Sequence, residues 1–126
     1  MAMITPLKRV RGLGSAKEGP DHFWRQRVTA VANFLLAPFA VGLVATLAGS
    51  DLDTVRATIG HPVVAVALIV LILSMTVHMR IGMQVIVEDY VHSEGIKVLT
   101  LLANTFFCAA VAAVAIFAVL KLSFGS

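Results

Sequence analysis

Charged side chains are scarce in this sequence. Only 13% of its 126 residues are Asp, Glu, Lys or Arg, while 59% are hydrophobic, and the mean hydropathy is +0.92. A soluble domain of this size would expose too much apolar surface to stay monomeric, so a lipid solvent is the consistent environment. Cysteine is nearly absent. Cys108 stands alone, which excludes an intrachain disulfide and a metal site built from cysteines. It reads as a small apolar packing residue. The strict alternation of a membrane β-strand is missing, as are internal repeats and low-complexity tracts.

What is present is three long apolar runs, Val28–Gly49, Pro62–Val87 and Ile96–Leu122. Each meets the ~20 residues needed to cross the hydrocarbon core. The pattern predicts an all-α membrane protein with three transmembrane helices, about 22–49, 62–89 and 96–122. These form an anchor domain over 21–126 behind an N-terminal arm over 1–20. The first run follows about 27 mostly polar residues, is too long for the apolar region of a signal peptide and has no convincing cleavage site after it. It is expected to be a retained helix.

Charge is distributed unevenly. Lys8, Arg9, Arg11, Lys17, Arg25 and Arg27 precede the first span, whereas the next loop holds Arg56 against Asp51 and Asp53. The positive-inside rule places the N-terminus in the cytoplasm and, after three spans, the C-terminus in the periplasm. Topology alone accounts for the basic leader, so nucleic acid is not an expected partner.

Along the chain, Pro6, Gly12, Gly14 and Gly19 suggest an extended or partly ordered arm. Asp21 is a candidate N-cap for the first helix. Phe23 and Trp24 suit the headgroup belt. Asn33 needs a hydrogen-bond partner inside the membrane, and Pro38 should kink its helix. The external loop is expected to hold a short surface helix before Pro62 opens the second span at its first position. A short turn at Ser93-Glu94-Gly95 leads into the third span. There, Ala109, Ala112 and Ala113 permit close helix contact.

The second span carries the chemistry. His78 lies inside hydrocarbon, where ionisable groups are costly and usually face a protein interior, a cofactor or a pathway. Ser74 and Gly82 stand one turn to either side, small enough for a flat ring to approach the backbone beside an imidazole. Histidine is a standard axial haem ligand; the competing reading is a histidine hydrogen-bonded between helices. No other histidine in the chain is expected at that depth: His22 and His92 fall at the cytoplasmic boundary and His61 on the external side. A second imidazole on the same iron would therefore come from another polypeptide. Met75, Met79 and Met83 form a row from which a methionine could in principle ligate, but which reads as core filling. Arg80, Gln84 and Glu88 form a second row, read either as snorkelling and partner packing or as the lining for a bound headgroup. Asp89 lies eleven residues after His78 on the same face, roughly 16 Å along the axis. Tyr90 follows it. A boundary tyrosine can donate to a quinone carbonyl, with the carboxylate relaying protons. A belt tyrosine beside a solvated aspartate is the alternative.

The stretch from His78 to Tyr90 resembles the second-helix signature of the smaller, hydrophobic membrane anchor of succinate dehydrogenase, the respiratory complex II. That signature has a histidine, a glycine four residues on, and Asp-Tyr at plus eleven and plus twelve, matched here by His78, Gly82, Asp89 and Tyr90. Arg27-Val28-Thr29-Ala30 resembles the family's Arg-x-Thr-Ala entry to helix one. Arg80 and Gln84 depart from enterobacterial members and look like the alphaproteobacterial branch. The resemblance implies a multi-pass protein of the bacterial inner membrane, packed with a larger cytochrome b anchor and holding a flavoprotein and an iron-sulfur protein. It implies that His78 is an axial ligand of a b-type haem shared with that larger anchor, with Arg27 near the propionates and Gly82 packed against the ring. Tyr90 and Asp89 would serve the ubiquinone site. The chain would be a part of the enzyme that does not bind succinate and carries no catalysis alone. The alternative function is a small structural or assembly membrane protein without a redox role. A transporter fits poorly, because three helices show neither a repeat nor a broken-helix pair.

Overall fold

The computed structural model describes residues 5–12 and 18–125, and these are helical apart from short connections. The elements are α1 (Pro6–Val10), α2 (Glu18–Leu47), α3 (Leu52–Gly60), α4 (Pro62–Tyr90) and α5 (Glu94–Phe124). Of the arm expected over 1–20, the described part holds α1 and the start of α2; Gly14 and Lys17 lie outside the described residues.

The three long helices are the apolar runs of the sequence, and each is long and apolar enough to cross a membrane. Only a helix lets a single span satisfy every backbone N–H and C=O without water. Their 30, 29 and 31 residues correspond to about 45 Å each at ~1.5 Å per residue, beyond the ~30 Å hydrocarbon core. The excess must be taken up by tilt or by projection into the headgroup region.

Helix α2 starts earlier than expected. It begins at Glu18, so Asp21 is inside the helix rather than its N-cap. Pro20 does not delay the start, because it falls in the first turn, where the missing N–H has no helical acceptor to lose. Pro38 is likewise accommodated within one continuous helix. At the far end, Gly49 adopts φ +83°, a left-handed conformation in which a glycine carries no Cβ penalty.

The connection then forms α3, with Asp51 at its N-terminal boundary. The Asp51 carboxylate accepts the Thr54 hydroxyl at 2.5 Å, which holds its pKa below the usual carboxylate value. Pro62 opens α4 directly after His61. Helix α3 lies back on α5: a Cβ at Gly60 would stand 3.3 Å from the Leu122 carbonyl oxygen.

Helix α4 is the middle of the assembly, packed on α2 along one flank and on α5 along another. Buried residues follow that arrangement. Ala65, Leu71, Ser74, Thr76, Ile81 and Val87 are on α4, Cys108 and Val119 on α5, and none on the described part of α2. Polar contacts stitch the helices, two of them from a side chain to a carbonyl of the facing helix. Ser74 Oγ donates to the Thr29 carbonyl at 3.0 Å, and Asn104 Nδ2 to the Arg80 carbonyl at 3.0 Å. Cys108 is buried, as a packing residue should be. The methionine row does not fill a core. Met75, Met79 and Met83 are all exposed in the chain by itself, and Met75 borders a cavity with Ala37, Val41 and Val44 of α2. Much of the remaining surface is apolar and exposed, including Phe34, Leu35, Val41 and Val44 on α2. Such a surface suits lipid or another membrane helix.

Candidate functional site

A cavity of ≈ 430 Å³ opens between α2 and α4 near the end of the molecule where α2 begins. His22, Gln26, Arg27 and Ala30 line it from α2, and His78 and Val85 from α4. His78 reaches it because its helix face is bare of bulk. Ser74, one turn before, lies buried against α2, and Gly82, one turn after, contributes no side chain.

The imidazole is half-buried and met by two α2 side chains. Its Nδ1 lies 3.1 Å from Thr29 Oγ1, and its Nε2 lies 3.4 Å from Gln26 Nε2. Thr29 is itself fixed, since its hydroxyl lies 2.7 Å from the Arg25 carbonyl and 3.2 Å from that of Gln26. Gln26 is only half satisfied: its Oε1 is buried without a hydrogen-bond partner. So is Asn33 Oδ1, which has no hydrogen-bond partner among the described residues.

Arg27 lines the same cavity and stacks its guanidinium over the Phe23 ring, 5.1 Å from the centroid. Phe23 in turn meets Trp24 edge-on at 6.0 Å. The stack holds a cation at the cavity wall while leaving its N–H donors available. At Gly82, an added Cβ would meet only Gln26 Nε2, at 3.8 Å, an ordinary contact. The chain alone therefore does not require glycine there.

The other two sequence candidates lie elsewhere. Asp89 and Tyr90 form the last turn of α4, both are exposed, and neither lines the cavity. The structure thus places His78 and Arg27 on one cavity, with Gly82 one turn along α4 but not among the lining residues, and leaves the Asp-Tyr pair apart at the helix end. Arg80 contributes to a different cleft of ≈ 290 Å³ between α4 and α5, opposite Cys108 and Ala112, while Gln84 donates to Glu88 at 2.8 Å.

The structure adds three residues that the sequence reading does not assign to the site: Gln26, His22 and, as the partner of His78, Thr29. Their signal is nevertheless present. Positions 22, 26, 29 and 33 are His, Gln, Thr and Asn, a polar stripe at helical spacing through an otherwise apolar face.

Among the described residues, no group of three or more His, Cys, Asp or Glu is placed to hold a metal ion. The donor set does fit the iron of a planar macrocycle. It offers an imidazole on the cavity wall, a residue without side chain one turn on, and a guanidinium on the wall suited to carboxylates.

Comparison with known proteins agrees with the family resemblance of the sequence. The family described as succinate dehydrogenase/fumarate reductase transmembrane subunit matches residues 1–117. The succinate dehydrogenase hydrophobic membrane anchor subunit of Paracoccus denitrificans is 32% identical over 126 residues, covering 100% of this chain and 97% of that one. The protein of the same name from Rickettsia bellii is 25% identical over 101 residues, covering 80% and 81%. That from Rickettsia conorii is 25% identical over 103 residues, covering 81% and 82%. No solved structure is a significant match.

Proposed function

This chain belongs to the succinate dehydrogenase/fumarate reductase transmembrane-subunit family, and on that premise we propose that it is the smaller membrane anchor of a succinate:ubiquinone oxidoreductase. It is a multi-pass protein of the bacterial inner membrane. Its N-terminus lies in the cytoplasm and its C-terminus in the periplasm, the arrangement supported by the basic residues ahead of α2. It holds a flavoprotein and an iron-sulfur protein on the membrane, pairs with a larger cytochrome b anchor, and does not bind succinate itself.

The observation that carries the redox reading is the His78 ring, which lines the α2–α4 cavity together with Arg27. His78 Nε2 is the ligand for a b-type haem shared with the larger anchor, Arg27 pairs with a propionate, and Gly82 keeps the ring's approach clear. Bound haem supplies a one-electron redox centre. Ligation requires the Gln26 amide to leave Nε2, and its unpartnered Oε1 means that little is lost on that side when it does. At the cytoplasmic end, the Tyr90 hydroxyl donates a hydrogen bond to a ubiquinone carbonyl. The Asp89 carboxyl relays protons from water to the quinone oxygens. Both are exposed in this chain, so the other wall of that site belongs to partner proteins.

One observation favours a structural protein without redox role: both ring nitrogens of His78 already have an α2 partner. Purification of the tagged chain from native membranes in mild detergent separates the two readings. A flavoprotein, an iron-sulfur protein and a b-type reduced-minus-oxidised band in the same fraction are expected. Recovery without those proteins, or with them but without the band, would reject the anchor or the haem assignment respectively.

A further inference from the structure

We propose that Thr29 is a positioning residue for His78: its hydroxyl oxygen accepts the imidazole Nδ1–H and holds the ring, which lines the cavity, in the tautomer whose lone pair is on Nε2. The inference rests on the haem reading above.

It follows from donor accounting. A threonine hydroxyl has one hydrogen and two lone pairs. The Thr29 oxygen stands 2.7 Å from the Arg25 carbonyl and 3.2 Å from the Gln26 carbonyl. Carbonyl oxygens can only accept, so the single hydrogen is directed at the helix's own backbone. The face of the oxygen 3.1 Å from His78 Nδ1 then carries lone pairs. An unprotonated Nδ1 there would set lone pair against lone pair, so Nδ1 carries the proton. On the other side of the ring the Gln26 amide nitrogen lies 3.4 Å from His78 Nε2, a contact that the same tautomer can accept.

The hydroxyl is also well held. Its own back-bond restricts its rotamer, and Ser74 of α4 donates to the Thr29 carbonyl at 3.0 Å. The ring therefore hangs from α4 while its angle and protonation are set from α2. Metal-ligating histidines commonly donate their second N–H to an acceptor that fixes the tautomer and raises ligand basicity, and loss of that acceptor weakens binding about 10–100-fold.

The test uses the whole complex in mild detergent, with Thr29→Val, which keeps the branched shape without the hydroxyl, and Thr29→Ser, which keeps the hydroxyl without the methyl. Haem per flavin and the haem midpoint potential are measured. Thr29→Val should retain haem about 10–100-fold less well. Any haem it keeps should show a raised potential, because a less basic imidazole stabilises ferric iron less. Thr29→Ser should restore both quantities. Wild-type haem content and potential in Thr29→Val would overturn the proposal, and so would equal failure of the serine variant, which would assign the effect to methyl packing. His78→Ala tests the underlying reading separately. If it empties the haem site while Thr29→Val is silent, only the role of Thr29 fails.

Discussion

Tyr90 is 76% exposed at the end of α4, a poor place to look for a binding group unless another chain supplies the rest of the site. The proposed role needs only its hydroxyl. Removing one neutral hydrogen-bond donor costs about 0.5–1.5 kcal/mol, or roughly 2- to 10-fold in rate if it is felt in the transition state. Tyr90→Phe should lower quinone reduction by that factor and leave succinate oxidation by a soluble artificial acceptor unchanged. Equal loss of both activities would place the defect in assembly and count against the hydroxyl. At this scale the sequence is unevenly legible. His78 stands out because an ionisable group in hydrocarbon needs a reason. Gln26 and Thr29 do not, because neutral polar residues in membrane helices pass as interhelical glue. Only the facing helix reveals that their stripe meets His78.

Helices α2 and α4 together make the cavity, and their spacing depends on small residues at the contact. Ser74 is buried against α2 and gives it one hydrogen bond. Interhelical hydrogen bonds in membranes average ~0.6 kcal/mol, so Ser74→Ala should be mild. Ser74→Leu forces extra bulk into a packed contact, at about 1–3 kcal/mol, and moves α2 away from His78. The expected outcome is an assembled complex with a lower unfolding midpoint and reduced haem for leucine, but near-normal values for alanine. Wild-type haem with leucine would contradict a site that depends on this contact. The spans themselves are legible from apolar length, and the surface helix before Pro62 from the loop that α3 occupies. The start of α2 is not, because Asp21 carries a capping side chain but sits three residues inside a helix that tolerates Pro20 in its first turn. The exposure of the methionine row is not legible either, because spacing gives a face, not which neighbour covers it.

As a whole, the molecule is an open arrangement with α4 between α2 and α5, and apolar side chains cover most of its flank. The proposed orientation rests on the positive leader and the sparse charge of the later segments. Single cysteines introduced at Ser50 and Ser93, in a background without Cys108, should report it. A membrane-impermeant maleimide added to intact spheroplasts should label position 50 and spare position 93; the reverse pattern would invert the topology and put Tyr90 on the wrong side for a cytoplasmic quinone site. The partner surface is not legible from this sequence, since lipid and a neighbouring anchor both accept exposed Phe, Leu and Val. Among the described residues, the Gln26 and Asn33 oxygens are buried without a hydrogen-bond partner.

The central claim is that one imidazole of this chain binds iron within the assembled complex. The most direct measurement is the pyridine haemochrome content and reduced-minus-oxidised spectrum of the purified complex carrying His78→Ala, normalised to flavin. The account predicts loss of the b-type haem with the flavoprotein and iron-sulfur protein still attached. Unchanged haem content and an unchanged spectrum in that complex would contradict it.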